Sequence, residues 1–504
     1  MPSLVRRLAC ATVLLFATLI GYGQNARVLI QELDAYIEKA RQHWEIPGLS
    51  VAIVKDGELL LSKGYGLRSL ASTEKIDENT IFSIGSTTKA MVAAAMGMLV
   101  DEGLVSWDDK VSEHLPNFQL YDSYASRELR VRDLFTHNAG LGNADLLWYY
   151  NDLTSDEILH RMRRLKPAYP FRGGYTYQNI MYLAAGKLIA KVSGKPWADF
   201  MQERVFSPLS MSNTYPTLKI SQQQENRSIA HHRIEDQVTP IEDCSADPIA
   251  PAGAIWSSVN DMAKWMQFLL DTAQINGKAL LEPSTHQELF KPQIIIPQEQ
   301  FYPTTALTKP TWTTYGLGWF QHDYQGYALQ FHSGSLPGTV AIIGLVPELD
   351  LGVYVLGNLD HAELRHAILY QVIDAFRGET KMDWSTDLKN LYDGLAERQK
   401  RQAKELVRSR QLKTKTSKNL SAYAGIYFDP FWGEVEIKES KNALQYRASS
   451  QLWADLEHWH YDTFNAKWSK KWMADSLLSF QLSETSGEIE FLKIGNRTYR
   501  KISE

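Results

Sequence analysis

Ile81-Phe82-Ser83-Ile84-Gly85-Ser86-Thr87-Thr88-Lys89, continuing as Ala90-Met91-Val92-Ala93-Ala94-Ala95-Met96-Gly97-Met98-Leu99, is the stretch on which the fold turns. Gly85 ends an extended apolar segment, and the Ala- and Met-rich run behind it favours helix, which places Ser86 in the first turn of a buried helix. Lys89 follows three residues on, at the spacing that sets one side chain beside the other on a helix. Burial and the helix dipole both disfavour the ammonium there, so a partly neutral Lys89 could take the proton of Ser86. This S-x-x-K arrangement is one device by which a serine is activated for acyl transfer. By itself it is weak, because a chain of this length holds about two such tetrapeptides by chance. The second, Ser72-Thr73-Glu74-Lys75, runs into polar Ile76-Asp77-Glu78-Asn79-Thr80 with no apolar helix behind it, and reads as a solvated loop.

Working outward, the 504 residues are 44 % apolar and 22 % charged, ordinary globular material for two or three domains. A net charge of -5, with no basic stretch interleaved with aromatics in the main body, gives no reason to expect nucleic acid. Arg6-Arg7 precede an apolar run from Leu8 to Ile20 and then Gly21-Tyr22-Gly23, the pattern of a signal peptide cleaved near Gly23. The run is about 13 residues, short of the roughly 20 that span a bilayer, so export to the periplasm or exterior is expected rather than a stable anchor. Cys10 would leave with the signal. Cys244 would then be the only thiol, with no disulfide possible and a packed role expected.

Upstream of Ser86, Leu29, Ile30, Leu33, Tyr36 and Ile37 recur at helical spacing until Ile46-Pro47-Gly48. Two strands, Leu49 to Lys55 and Leu59 to Gly64, then flank the hairpin signal Asp56-Gly57. Gly48-Leu49-Ser50-Val51-Ala52 approximates a G-x-S-x-G elbow, but it enters a hairpin instead of turning into a helix, so Ser50 is a poor nucleophile candidate. Downstream, helical patterning dominates to about Leu270. It includes a helix from Met181 to Val192, preceded by the loop Tyr175-Thr176-Tyr177-Gln178-Asn179, and a helix from Val259 to Leu270. Asn179 could simply cap the first of these. Trp148-Tyr149-Tyr150, after a glycine-containing loop, is either core or the wall of a pocket.

From Tyr315 the period changes to strands. Gly316 to Phe320, Tyr327 to His332, Val340 to Val346 and Leu351 to Leu356 form an antiparallel meander, followed by a helix from Ala362 to Phe376. His332-Ser333-Gly334 ends one strand. The segment 381–418 is polar and reads as a solvated helical linker. Residues 419–504 alternate in short strands with Trp432, Trp453, Trp459, Trp468 and Trp472, the pattern of a separate small β domain whose tryptophans are expected in its core. With separate cores, a chain ending near Lys418 should fold without it.

Strands at both ends of residues 24–380 with helices between them imply an α+β fold. The pattern allows one antiparallel sheet flanked by helices with an inserted helical subdomain, and Ser86 would lie in the cleft between the two. Ser86-Thr87-Thr88-Lys89, Tyr177-Gln178-Asn179 and His332-Ser333-Gly334, in this order and at wide spacing, resemble the three motifs of the serine β-lactamase and penicillin-binding-protein superfamily. Within it the chain most resembles the β-lactamase-related branch near class C β-lactamases, D-aminopeptidases and certain esterases. Leu134-Phe135-Thr136-His137-Asn138-Ala139-Gly140-Leu141 and Tyr315-Gly316-Leu317-Gly318-Trp319 are also similar to signatures of that family, and the likeness covers about residues 30 to 380.

The resemblance implies catalysis through an acyl-enzyme. Ser86 would be the nucleophile, Lys89 and Tyr177 would share the base and acid work, and Asn179 would orient Lys89 and hold a substrate amide. The backbone N–H groups of Ser86 and Ser335 would form the oxyanion hole, while His332, Ser333 and Gly334 would line the strand edge of the cleft. It implies no cofactor, and no metal motif is present in the sequence. A peptide, amide or ester is the substrate class expected. The alternative is a binding or sensor protein that keeps the fold without turnover.

One departure concerns His332, where β-lactamases and transpeptidases usually carry Lys. A histidine with an ordinary pKa would supply charge there only as pH falls toward about 6, which implies weak β-lactamase activity and a relative gain for carboxylate-bearing substrates at lower pH.

Overall fold

The computed structural model describes residues 27–275, 278–379, 382–440 and 443–503. The expected export signal, with Cys10 and the expected cleavage near Gly23, lies outside the described residues. Among those described, no helix is long and apolar enough to cross a membrane.

The hairpin Gly48–Lys55 and Glu58–Gly66 joins strands from the far end of the domain in one eight-stranded antiparallel sheet. The order is 58–66, 48–55, 351–357, 339–346, 327–336, 320–324, 313–315 and 294–295. Val51 pairs with Val355 and Ala52 with Tyr354, so the N-terminal hairpin docks directly on the strand that ends the meander. Successive residues face opposite sides. Val51, Ile53, Val353 and Val355 pack towards the helix at 27–43 and the helix Leu364–Arg377, while Ala52, Val54, Tyr354 and Leu356 pack towards Val259–Leu270 and the helical subdomain. Burial on both faces explains why these strands read as unbroken apolar runs rather than alternating ones.

Two strand boundaries differ from the sequence reading, both beside the site. Gly316 to Trp319 is not a strand but the link between Thr313–Tyr315 and Phe320–Tyr324, with Gly318 at a φ of +84°. A Cβ on Gly318 would sit 2.9 Å from the Lys89 carbonyl oxygen, so this turn closes against the helix Thr88–Asp101. The strand Tyr327–Leu336 runs through His332-Ser333-Gly334 instead of ending there, because its pairing with 339–346 continues to Leu336 opposite Thr339.

Residues 425–503 form a closed barrel of eight antiparallel strands. Its core is built from tyrosines, phenylalanines and aliphatic residues such as Tyr423, Tyr427, Phe464 and Leu478. Trp432 and Trp468 pack against the barrel core, as expected, but also reach the main domain. Trp432, Trp468 and Trp472 are half-buried against the main domain, where Phe431 and Leu452 enter the hydrophobic core of that domain. Arg161 donates to the Trp432 carbonyl at 2.7 Å, and Ser449 Oγ donates to the Tyr150 carbonyl at 2.6 Å.

The linker differs too. Its helix spans Trp384–Arg408, and only the later part is solvated. Trp384 is buried, stacks on Tyr370 and donates to Asp374 Oδ2 at 2.7 Å, which ties the helix start to the main domain.

These contacts revise the expectation for truncation. A chain ending near Lys418 retains the whole main sheet but loses the cover of Tyr150 and Arg161. Burial of Phe431 and Leu452 is worth roughly 2 kcal/mol each. Calorimetry of the shortened chain is expected to show a cooperative transition with its midpoint lowered by several degrees; an unchanged midpoint would mean the interface contributes nothing.

Candidate active site

Ser86 sits in a single 3₁₀ turn, Gly85–Thr87, that leads into the helix Thr88–Asp101. Gly85 makes this turn possible: its φ is +51°, and a Cβ there would lie 2.8 Å from the Ser335 backbone nitrogen. Reciprocally, a Cβ on Gly334 would lie 2.1 Å from the Ile84 carbonyl oxygen and 2.9 Å from the Ser86 backbone nitrogen. Two glycines thus let the strand 327–336 close onto the Gly85–Thr87 turn, bringing the backbone nitrogens of Ser86 and Ser335 close together.

Lys89 is fully buried, and its ammonium has three acceptors: Asn179 Oδ1 at 2.7 Å, the Ala252 carbonyl at 2.8 Å and Ser86 Oγ at 3.1 Å. Burial pulls its pKa down to about 7, against the opposing pull of the Asp145 carboxylate. A neutral lysine keeps two N–H donors and one lone pair. Of its three partners only Ser86 can supply a proton, since the other two are carbonyl oxygens. The coordination therefore aims the lone pair at the Ser86 hydroxyl.

Asn179 opens the helix Asn179–Ser193, but the cap belongs to Gln178, whose side chain accepts from the Ile180 N–H. This frees Asn179, whose Nδ2 donates to Asp145 Oδ1 at 2.9 Å, fixing its Oδ1 towards Lys89. Asp145 also receives Trp148 Nε1 at 3.0 Å and Asn143 Nδ2 at 2.9 Å.

The Tyr177 hydroxyl is buried without a hydrogen bond of regular geometry, and the Lys89 Nζ lies 4.8 Å from its ring centroid. Burial pushes the phenol well above its ordinary pKa; hydrogen bonding to Ser86 pulls the other way. Tyr177 is therefore a proton carrier at neutral pH and Lys89 the stronger candidate base. His137 supports this loop. At a φ of +60°, it accepts the Gln178 N–H on Nδ1 at 3.0 Å and lays its ring 4.3 Å from that of Tyr177.

Ser86, Tyr177, Asn179, Ser333 and Ser335 line a cavity of about 630 Å³, whose other walls include Trp148, Tyr149, Tyr175, Phe301, Tyr302 and Phe320. Of the aromatic triplet, Trp148 and Tyr149 face this cavity while Tyr150 faces the barrel. Among the described residues Asp145 is the only charged side chain in the lining.

His332 does not line the cavity. It is buried behind it, with Nδ1–H donating to the Ser333 carbonyl at 2.6 Å and Nε2 accepting from the Tyr315 hydroxyl at 2.9 Å. Burial, assisted by the nearby Lys89 charge, pushes its pKa down to about 3. The expected gain of charge towards pH 6 is therefore corrected: His332 stays neutral throughout the ordinary range. Ser333 faces the cavity instead and pairs with the Tyr302 hydroxyl at 2.6 Å.

Ser50 is buried within its strand, away from the cavity. Cys244 is packed, its thiol pushed up to about 12 by burial.

Several residues escaped the sequence reading. Arg365, buried on the helix Leu364–Arg377, donates to the Gly334 carbonyl at 2.5 Å and Ser335 Oγ at 2.8 Å, and is itself held by Glu363. Asp145, Tyr302 and the Ala252 carbonyl likewise reach the site from loops or helices that carry no motif. His137 alone had a signal, in the Thr136-His137-Asn138-Ala139-Gly140 phrase.

Residues 33–376 match the family model described as Beta-lactamase. The chain belongs to the β-lactamase family. As a member it is a serine hydrolase, similar to the unguisins hydrolase of Aspergillus violaceofuscus, with 29 % identity over 71 % of this chain and 67 % of that one. Protein flp of Staphylococcus aureus is 27 % identical over 66 % of this chain and 63 % of its own length. The octameric penicillin-binding protein homologue from Pyrococcus abyssi shares the fold over 94 % of this chain and all of its own, with a TM-score of 0.62 at 22 % identity. The D-amino acid amidase of Ochrobactrum anthropi shares it over 69 % of this chain and 99 % of its own, with a TM-score of 0.57. A second family model, a domain of unknown function (DUF3471), matches residues 409–502 of this β-lactamase-family chain.

Proposed function

We propose that the protein is an exported hydrolase that cleaves a peptide, amide or ester bond through an acyl-enzyme on Ser86. The observation that carries this reading is the threefold coordination of Lys89, in which the Ser86 hydroxyl is the one partner of the three able to give up a proton. In acylation Lys89 takes the Ser86 proton as Oγ attacks the substrate carbonyl carbon. The oxyanion is met by the N–H groups of Ser86 and Ser335, a role supported by the close approach of the turn to the strand. The proton passes to the leaving group through Lys89 and the Tyr177 hydroxyl, and water reverses the sequence to release the acid.

Asn179, lining the cavity, has a second amide N–H to offer a substrate carbonyl. The largely aromatic, nearly uncharged lining favours a neutral acyl portion with apolar surface. Export is supported by the Arg6-Arg7 and Leu8 to Ile20 pattern.

The test is incubation of purified protein with a fluorophosphonate probe and a panel of p-nitrophenyl esters, D-amino-acid anilides and nitrocefin. Labelling with turnover of neutral esters or anilides, and little nitrocefin hydrolysis, is expected. Labelling without turnover of any substrate would favour the sensor reading instead.

A further inference from the structure

The barrel and the main domain enclose a second cavity of about 830 Å³, lined by Arg163, Arg164 and Lys166 on one side and Phe431, Trp432 and Arg497 on the other. Four cations thus face one groove, and among the described residues Asp429 is the only acid in its lining. That carboxylate is already engaged, its Oδ1 accepting the N–H groups of Phe431 and Trp432 at 2.7 and 2.8 Å. Among the described residues none of the four cations is paired with a carboxylate; Arg497 hydrogen-bonds only the neutral phenols of Tyr446 and Tyr499. Arg163 is the most telling. Its Nε is buried without a hydrogen-bond partner, and its Nη2 makes only a long 3.4 Å contact to the Asn117 carbonyl. Partly desolvated guanidinium groups without a counter-charge are costly unless a ligand supplies one. Arg497 lies 5.8 Å over the Trp432 ring, which adds an aromatic face beside the charge.

Asn143 lines both this groove and the Ser86 cavity, so the two are neighbours across a single loop. The catalytic cavity has no cation on its wall and a neutral His332 behind it, whereas the groove next door has four cations. We propose that the interdomain groove binds an acidic segment of a peptide substrate, carboxylates towards Arg163, Arg164, Lys166 and Arg497, whose scissile bond lies in the Ser86 cavity. The assignment of a peptide with its bond at Ser86 rests on the proposed function. The anion site itself does not, and it is tested without turnover. It also gives the barrel a task, since Arg497, Phe431 and Trp432 come from it and the site is incomplete in the main domain alone.

The experiment uses the full chain carrying Ser86→Ala and two dansyl hexapeptides, one alternating glycine with glutamate, the other glycine with glutamine. Fluorescence anisotropy at low salt should show the glutamate peptide binding at least roughly 10-fold more tightly, with the difference shrinking as salt rises to about 0.3 M. Arg164→Glu with Lys166→Glu, at two exposed positions, should remove the preference; Arg164→Gln with Lys166→Gln, a milder change, should reduce it. Equal binding of the two peptides, or a preference that survives charge reversal, would overturn the proposal. Because binding is read in the Ser86→Ala chain, failure of the hydrolase assignment would appear separately, as absent labelling and turnover in the unaltered protein.

Discussion

Ser86→Ala is expected to abolish fluorophosphonate labelling and to lower turnover by roughly 10,000-fold or more, as loss of a serine nucleophile does elsewhere. Ser72→Ala and Ser50→Ala should leave labelling intact. The contrast follows from surroundings. Ser86 is partly exposed to the cavity and 3.1 Å from a lysine whose pKa is about 7. Ser50 is buried in a central strand with a weak 3.4 Å bond to the Asp77 carbonyl, and Ser72 lies on a loop outside the cavity lining. The expected loss should be specific, since the Ser86 hydroxyl carries little packing and its removal leaves Lys89 two other acceptors. Persistent labelling in Ser86→Ala, located by peptide mapping, would remove the serine from the reaction.

What could be read beforehand was whatever is encoded locally. The Asp56-Gly57 hairpin, the apolar strands, the Ala-rich helix behind Ser86 and the change of period near Tyr315 are all short-range patterns, and together they give the sheet and its helical insertion. Motif residues on or beside element starts, Ser86, Lys89, Tyr177 and Asn179, are of this kind. Residues that act through tertiary contact left no such trace. Arg365 reaches Ser335 from 30 positions away, and in sequence it is one arginine in an amphipathic helix. Asp145 reaches Asn179 from a loop and is distinguished only once that loop is folded back on the helix. The charge state of His332 is hidden from the sequence for a related reason. Its residue type gives an ordinary pKa, but the pairing register that buries it beside Lys89 is a property of the whole sheet. The barrel tryptophans show the same limit: alternation identified a β domain, but not that half-buried tryptophans would mark its interface with the main domain.

The second large effect concerns Lys89. If it is the base that deprotonates Ser86, only its neutral form is competent, so kcat/KM for a neutral ester should rise with pH through a midpoint near 7 and level off above it. Lys89→Met, which keeps an unbranched side chain one atom shorter and removes the titrating group, should lower acylation by roughly 1000-fold or more and erase that limb. A sharper test lies one residue further out. The Asp145 carboxylate raises the Lys89 pKa, opposing the larger effect of burial, and acts beyond Asn179 without touching the ammonium. Asp145→Asn keeps an oxygen to accept the Asn179 N–H but removes the negative charge. Neutral lysine is then favoured, and the acid limb should move to lower pH. A role in packing alone would change the rate without moving the midpoint. An acid limb that stays in place, or moves upward, in Asp145→Asn would show that the limb does not report Lys89, and that the proton leaves Ser86 by another route.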